Sequence, residues 1–155
     1  MIIPVGGYDF RDLRASYQLG GRRRVPSTFS VRRGSFFGGE RTEASAQLRI
    51  ELSNRFAVEP ALSRNWVDLP EGKFQTTLAT ARVNYSASPR LSVASLLQYN
   101  TSSHTFQSSL RLRWEYDPGS DLFVVWSEGR ETSLTGFPVL DNRTFVVKLT
   151  RLVRF

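Results

Sequence analysis

The segment Thr105–Tyr116, TFQSSLRLRWEY, places Phe106, Leu110, Leu112, Trp114 and Tyr116 on one side of an extended chain and Gln107, Ser109, Arg111, Arg113 and Glu115 on the other. Side chains in a strand alternate with period two, so this segment is read as a β-strand with one oily face and one fully charged face. Whatever fold contains it must give each face a suitable solvent.

The same alternation recurs along the chain. Punctuation by turn residues divides it into nine expected strands: 8–19, 28–37, 42–53, 56–67, 74–86, 91–100, 105–116, 122–130 and 143–155. Most have ten to thirteen residues, longer than a usual globular strand and close to the roughly 9–11 that cross a bilayer at a tilt. Asp117-Pro118-Gly119-Ser120 is a strong turn, because proline fixes φ and glycine accepts positive φ. Ser88-Pro89-Arg90, Pro70-Glu71-Gly72 and Gly38-Gly39 are breaks of the same kind, and Ser53-Asn54-Arg55 is a weaker one. No helical period of any length appears, so the chain reads as an all-β meander of hairpins.

Two further strands alternate as cleanly. Ala44, Ala46, Leu48, Ile50 and Leu52 oppose Ser45, Gln47, Arg49, Glu51 and Ser53, and Leu13, Ala15, Tyr17 and Leu19 oppose Asp12, Arg14, Ser16 and Gln18. The last segment offers Phe145, Val147, Leu149, Val153 and Phe155 against Lys148, with Arg151 as an exception on the apolar side. Arg33 and Arg64 are further exceptions. A charge facing lipid costs about 2–4 kcal/mol at mid-bilayer and little at the interface, so these arginines are expected near the strand ends or beside a bulge.

Composition limits the alternatives. The 155 residues are 40% hydrophobic and 23% charged, with a net charge of +7. The arginines are spread along strands and turns, and only Arg22, Arg23 and Arg24 form a run, read as a solvated turn with nucleic acid not expected as a partner. The absence of cysteine excludes disulfides and thiolate sites. No stretch approaches the roughly 18 apolar residues of a transmembrane helix. Residues Met1–Gly7 lack the basic start, apolar stretch and cleavage site of an export signal. If the chain is an exported membrane protein, the expectation is that it is the C-terminal part of a larger barrel.

A soluble barrel or sandwich alternates too, with its apolar side inward, and a soluble β-barrel binding an apolar ligand stands as one reading. Three features favour a transmembrane barrel: uniformly long strands, a polar face mixing Arg, Glu, Gln and Ser, and aromatics near strand ends (Tyr85, Tyr99, Trp66, Trp114, Tyr116). On that reading Asp12, Arg14, Arg49, Glu51, Gln107, Arg111, Arg113, Glu115 and Lys148 face a lumen. Tyr17, Leu48, Ile50, Leu110, Leu112, Trp114, Tyr116, Val147 and Leu149 face lipid or form its aromatic girdle. Oppositely charged lumen residues on neighbouring strands are expected to pair, filling a narrow barrel or lining a wide channel with a cationic bias.

The runs Gln98-Tyr99-Asn100, Leu110–Tyr116, Pro118–Val125 and Val147–Phe155, together with Val67–Phe74 and Ile3–Phe10, resemble the C-terminal barrel of the family known as domain of unknown function 5916. The resemblance covers essentially the whole chain and is most specific over 98–125. It implies a bacterial outer-membrane barrel which, in longer relatives, follows a domain similar to carbohydrate-binding family 9, absent from this sequence. A carbohydrate partner, or a glycoside-hydrolase-like activity with this barrel as its anchor, would then concern that upstream domain. The resemblance carries no catalytic motif. It implies that Phe155 lies at the periplasmic end and is read by the barrel-assembly machinery, with outer-membrane lipid and lipopolysaccharide as the remaining partners.

Counting back from Phe155, the connections 117–120, 88–90, 53–55 and 20–26 are expected on the periplasmic side, and 131–141, 101–104, 68–73 and 38–41 outside. The longest connection then faces outward. Nine strands make an odd number, whereas bacterial single-chain barrels have an even one.

Catalysis and cofactors are not expected. His104, the single histidine, is flanked by Ser102 and Ser103 with no acid placed to orient it, and reads as a solvated loop residue. One histidine and scattered carboxylates supply no metal-ligand cluster. The pairs Gly6-Gly7, Gly20-Gly21 and Gly38-Gly39 lack the lysine and helix of a phosphate loop and read as turns. Three Asn-X-Ser/Thr matches, at Asn84, Asn100 and Asn142, are read as unmodified.

Overall fold

The computed structural model describes Gly7, residues 9–20, 25–133 and 138–153. Within them the chain is all-β, a single antiparallel up-and-down sheet. Its strands are β1 (Asp12–Leu19), β2 (Ser27–Phe36), β3 (Gly39–Leu48), β4 (Ile50–Ser53), β5 (Phe56–Leu69), β6 (Gly72–Ser88), β7 (Leu91–Asn100), β8 (Thr105–Asp117), β9 (Ser120–Glu131) and β10 (Val139–Thr150). Neighbours in sequence are neighbours in space throughout, with β4 carrying β3 onward along β5.

The nine expected strands are all present, with three adjustments beyond a few residues at the ends. The first, expected from Tyr8, begins at Asp12, and Tyr8 lies outside the described residues. The strand expected at 42–53 is divided at Arg49, which lies across from Glu59 beside Pro60. Proline has no N–H to give to a ladder; the Arg49 amide faces the other neighbour and donates to the Pro26 carbonyl at 2.9 Å. The last strand begins at Val139 rather than Arg143, pairs with β9 from Glu131 onward, shifts register between Leu140 and Asn142, and ends at Thr150. Phe155 and the Arg22–Arg24 run lie outside the described residues.

The turns are as tight as their chemistry allows. Phe37 and Gly38 both have positive φ, 48° and 81°, and join β2 to β3 as a two-residue hairpin loop. Pro118 and Gly119, the latter at φ 79°, join β8 to β9. Because every pairing is antiparallel, the connections alternate between two ends of the sheet. The turns at Phe37, Pro70 and His104 share one end with the end of β9 and the start of β10, called here the His104 end. The turns at Asn54, Pro89 and Pro118 share the other, the Pro118 end, with the end of β1 and the start of β2. This is the division that the turn count predicts.

Among the described residues the sheet has no second layer. Val67 and Leu69 alone among the described apolar residues are buried, whereas Leu13, Tyr17, Phe145 and Leu149 are each about two-thirds exposed or more. The accessible surface is 11697 Å2, against roughly 7,900 Å2 for a compact monomer of this mass. Nor does the sheet close: β1 and β10 are free edges, and both run from the His104 end to the Pro118 end.

Candidate functional site

The register fixes which residues share a face. One face carries Asp12, Arg14, Arg49, Glu51, Gln107, Arg111, Arg113, Glu115 and Lys148, together with Thr28, Ser30, Ser45, Gln47, Glu59, Arg82, Asn84, Ser109, Asp121 and Ser127. The other carries Tyr17, Leu48, Ile50, Leu110, Leu112, Trp114, Tyr116, Val147 and Leu149, with Val31, Ala46, Val58, Leu62, Val83, Val93, Val124 and Phe145. Each group named from the sequence therefore falls on a single side of one continuous sheet.

On the polar face the charges form ladders across strands. Arg49 donates from Nε to Glu51 and from Nη1 to Glu59, both at 2.9 Å, and Arg82 approaches Glu59 from the far side at 3.7 Å. Glu59 is the hub, its side chain 15% exposed. Arg113 donates to Asp121 at 3.1 Å and stacks over Phe123, and Arg32 binds Asp12. The pairing differs from expectation at three points. Arg14 faces Arg32, the arginine that Asp12 takes across the neighbouring strands, rather than a carboxylate. Glu115 accepts from the Gly119 amide in its own hairpin rather than from an arginine. Arg111 and Lys148 stand across from Val125 and Phe123, without a carboxylate in ion-pair reach among the described residues. Grooves open on this face: one of about 400 Å3 lies between Arg82, Asn84, Ser109, Arg111 and Ser127, and an adjoining one of about 270 Å3 is lined by Gln98, Gln107, Asn142 and Thr144.

The apolar face is graded along the strands. At the Pro118 end it carries Tyr17, Phe56, Tyr85, Trp114 and Tyr116; the rings of Phe56 and Tyr85 are 6.3 Å apart and those of Trp114 and Tyr116 6.2 Å. Tyr116 turns its hydroxyl to the Thr150 carbonyl at 3.2 Å. Trp66, Tyr99 and Phe106 stand toward the His104 end. From Phe56 to Trp66 along β5 is about 33 Å of strand, or roughly 23 Å of height at a 45° tilt, close to the ~25 Å apolar band of an outer-membrane barrel.

Among the described strand residues, every charge on this face lies in the half toward the His104 end: Arg33, Glu40, Arg64, Asp68, Lys73, Glu128, Arg130 and Arg143. Arg33 binds Glu40 at 2.6 Å and Lys73 binds Asp68 at 2.6 Å. Glu128, its side chain only 5% exposed, sits between Arg130 and Arg143, with the Arg143 Nη2 at 2.8 Å. Arg64 donates to Gln75 at 2.7 Å and lies over the Trp66 ring at 5.2 Å. Arg33 lies three residues from the end of β2 and Arg151 beyond the end of β10, whereas Arg64 lies five residues from the end of β5, inside the Phe56–Trp66 span rather than at a strand end or bulge as expected.

Sequence reading overlooked Glu59, Arg82 and Asp121 as members of the polar ladders, and Glu128, Arg130 and Arg143 as a cluster. The signal for the cluster was present: Leu122, Val124, Trp126, Glu128 and Arg130 alternate along β9, so the charges fall on the apolar side.

His104 has φ 49° and presents its carbonyl to the Thr132 amide at 2.7 Å and hydroxyl at 2.8 Å, a role for backbone rather than imidazole. Ser103 bonds to Thr105 instead. Among the described residues no group of His, Asp and Glu is arranged to hold a metal ion. No family model matches the sequence, and no curated protein matches it either.

Proposed function

We propose that the chain is a sector of a bacterial outer-membrane β-barrel, with its apolar face against lipid and its charged face toward an aqueous lumen, as in the C-terminal barrel of the family it resembles. The observation that carries this reading is the single-layer sheet itself. One whole face is apolar and exposed, far beyond the few hundred Å2 that soluble monomers tolerate, and no second layer covers it. The aromatic rings toward both ends and the confinement of charge to one half support the same reading. A soluble barrel holding an apolar ligand would instead enclose the apolar face, whose Leu13, Tyr17, Phe145 and Leu149 are exposed here.

The free edges fit a sector. Since β1 and β10 run the same way, direct closure between them would be a parallel pairing, and an antiparallel barrel needs an odd number of further strands between them. The role is non-enzymatic. Of passage and surface anchoring, passage is favoured by the groove beside Arg82 and Arg111, which leaves unfilled space and, at Arg111, a cation without a carboxylate partner among the described residues on the lumen side, as suits an anionic solute. Any sugar-directed activity belongs to other parts of a longer protein.

Refolding tests the reading. Diluted from urea, the chain is expected to regain strand circular dichroism and protease resistance in detergent micelles or phosphatidylcholine vesicles and to aggregate in buffer alone. A monodisperse folded protein without amphiphile overturns it.

A further inference from the structure

The two grooves of the polar face meet. Leu96, Ser109 and Ser127 line both, and they stand directly across from one another on β7, β8 and β9. At one end of this shared floor is Arg111, with neither an ion pair nor a hydrogen bond among the described residues, whereas Arg82 on the far wall leans toward Glu59. At the other end are Gln98, Gln107 and Asn142, whose side-chain amides likewise make no hydrogen bond among the described residues. These three share one row across the strands with Gly129 between Gln107 and Asn142. A Cβ on Gly129 would lie 2.6 Å from the Asn142 Oδ1, so glycine leaves that amide its place. Glu128 in the wall adds no free charge, since its carboxylate is held between Arg130 and Arg143 on the opposite face. From Arg111 to Gln107 the strand measures about 13 Å.

A ligand for this trough carries one anionic group, an aliphatic group beside it for Val125 and Leu96, and further groups that both donate and accept hydrogen bonds. One unpaired guanidinium balances a single carboxylate, whereas a phosphate brings more charge. A sugar acid lacks the aliphatic group, and neither groove lining offers an aromatic ring for a sugar to stack on. A peptide end has all three features. We infer that the trough binds the C-terminal end of a short peptide, with its carboxylate on the Arg111 guanidinium fork, an aliphatic last side chain against Val125 and Leu96, and its amides exchanging hydrogen bonds with Gln98, Gln107 and Asn142. At about 3.3–3.6 Å per extended residue, the trough takes about four residues. The inference rests on the reading of this face as a solute path and names the class of anionic solute.

The test uses the full chain refolded in detergent micelles and N-acetyl-Gly-Gly-Ala-Leu, a peptide whose carboxylate is its one charge. Binding above that to empty micelles is measured by equilibrium dialysis, with the C-terminally amidated peptide, N-acetyl-leucine and digalacturonate as further arms. The peptide acid is expected to bind about tenfold more tightly than its amide, the worth of a charge-assisted hydrogen bond, and digalacturonate not to bind. Arg111→Gln is expected to weaken the peptide acid about tenfold and leave its amide unchanged. Gly129→Ala, which displaces the Asn142 amide, is expected to weaken the tetrapeptide about threefold and N-acetyl-leucine not at all. Lys148→Gln, on the same face but outside both grooves, changes nothing. No binding of the peptide acid, equal binding of acid and amide, tighter binding of digalacturonate, or an equal loss from Lys148→Gln overturns the inference while the folded chain, and with it the membrane reading, stands. A chain that does not fold in micelles overturns both.

Discussion

Arg49 and Glu59 face each other directly across β3 and β5, Nη1 to Oε1 at 2.9 Å, at the point where the strand pairing itself is interrupted by Pro60. A side-chain bridge thus spans a gap in the backbone ladder, and Arg82 joins it from β6. Replacing Glu59 by Gln leaves two arginines without their shared carboxylate. It is expected to cost about 1 kcal/mol in urea unfolding within micelles. Glu51→Gln, at a side chain more than half exposed, is expected to change the midpoint little.

Glu128 makes the opposite case, a carboxylate on the apolar face. Its burial comes from Arg130 and Arg143, so Glu128→Gln removes the group that holds two cations together next to Trp126 and Phe145. The unfolding midpoint of this variant is expected to fall further than that of Glu51→Gln, and to recover in part when Arg143 is also changed to Gln. No additional loss from Glu128→Gln over Glu51→Gln refutes the cluster's role.

The apolar band predicts a depth profile. Leu112→Arg, near the middle of β8, is expected to cost about 2–4 kcal/mol in vesicles, and Tyr116→Arg, at the end of the same face, close to zero to 1 kcal/mol. Equal costs at the two positions contradict a bilayer across β8. The measurement is reversible urea titration in phosphatidylcholine vesicles.

Close approach of backbones supplies a packing test. A Cβ placed on Gly39 meets the Asp68 carbonyl and lies 2.8 Å from the Leu69 Cα, both main-chain atoms that cannot swing away. Gly39→Ala is expected to cost about 1–3 kcal/mol. Gly20→Ala, with nothing within 4 Å, is expected to stay within about 0.5 kcal/mol. Thermal unfolding in micelles distinguishes them.

Much of the architecture is legible in the sequence because period-two alternation is a local property. Each of β1, β3 and β8 states its own two faces, and Pro118-Gly119 states its own turn. What the residues did not reveal are relations between strands. That Asp12 takes Arg32 and not Arg14 depends on the β1–β2 register, and register follows from turn length and shift rather than from either strand alone. The break at Arg49 depends on Pro60, eleven residues further on. The placement of Glu128 was readable from β9, but the partnership with Arg143 needs the bulge at Leu140–Asn142, a long-range feature with no local sign. The grading of charge along the apolar face likewise emerges only when all strands are aligned.

The central claim is that Leu110, Leu112 and Trp114 touch lipid while Ser109, Arg111 and Arg113 touch water. Because the chain contains no cysteine, each of these six positions can be changed singly to cysteine, spin-labelled, and measured in phosphatidylcholine vesicles for collision with oxygen and with a water-soluble nickel chelate. Strict alternation is expected, with oxygen favoured at 110, 112 and 114 and the nickel chelate at 109, 111 and 113. The reverse phase, or uniform access to the nickel chelate at all six, would contradict it.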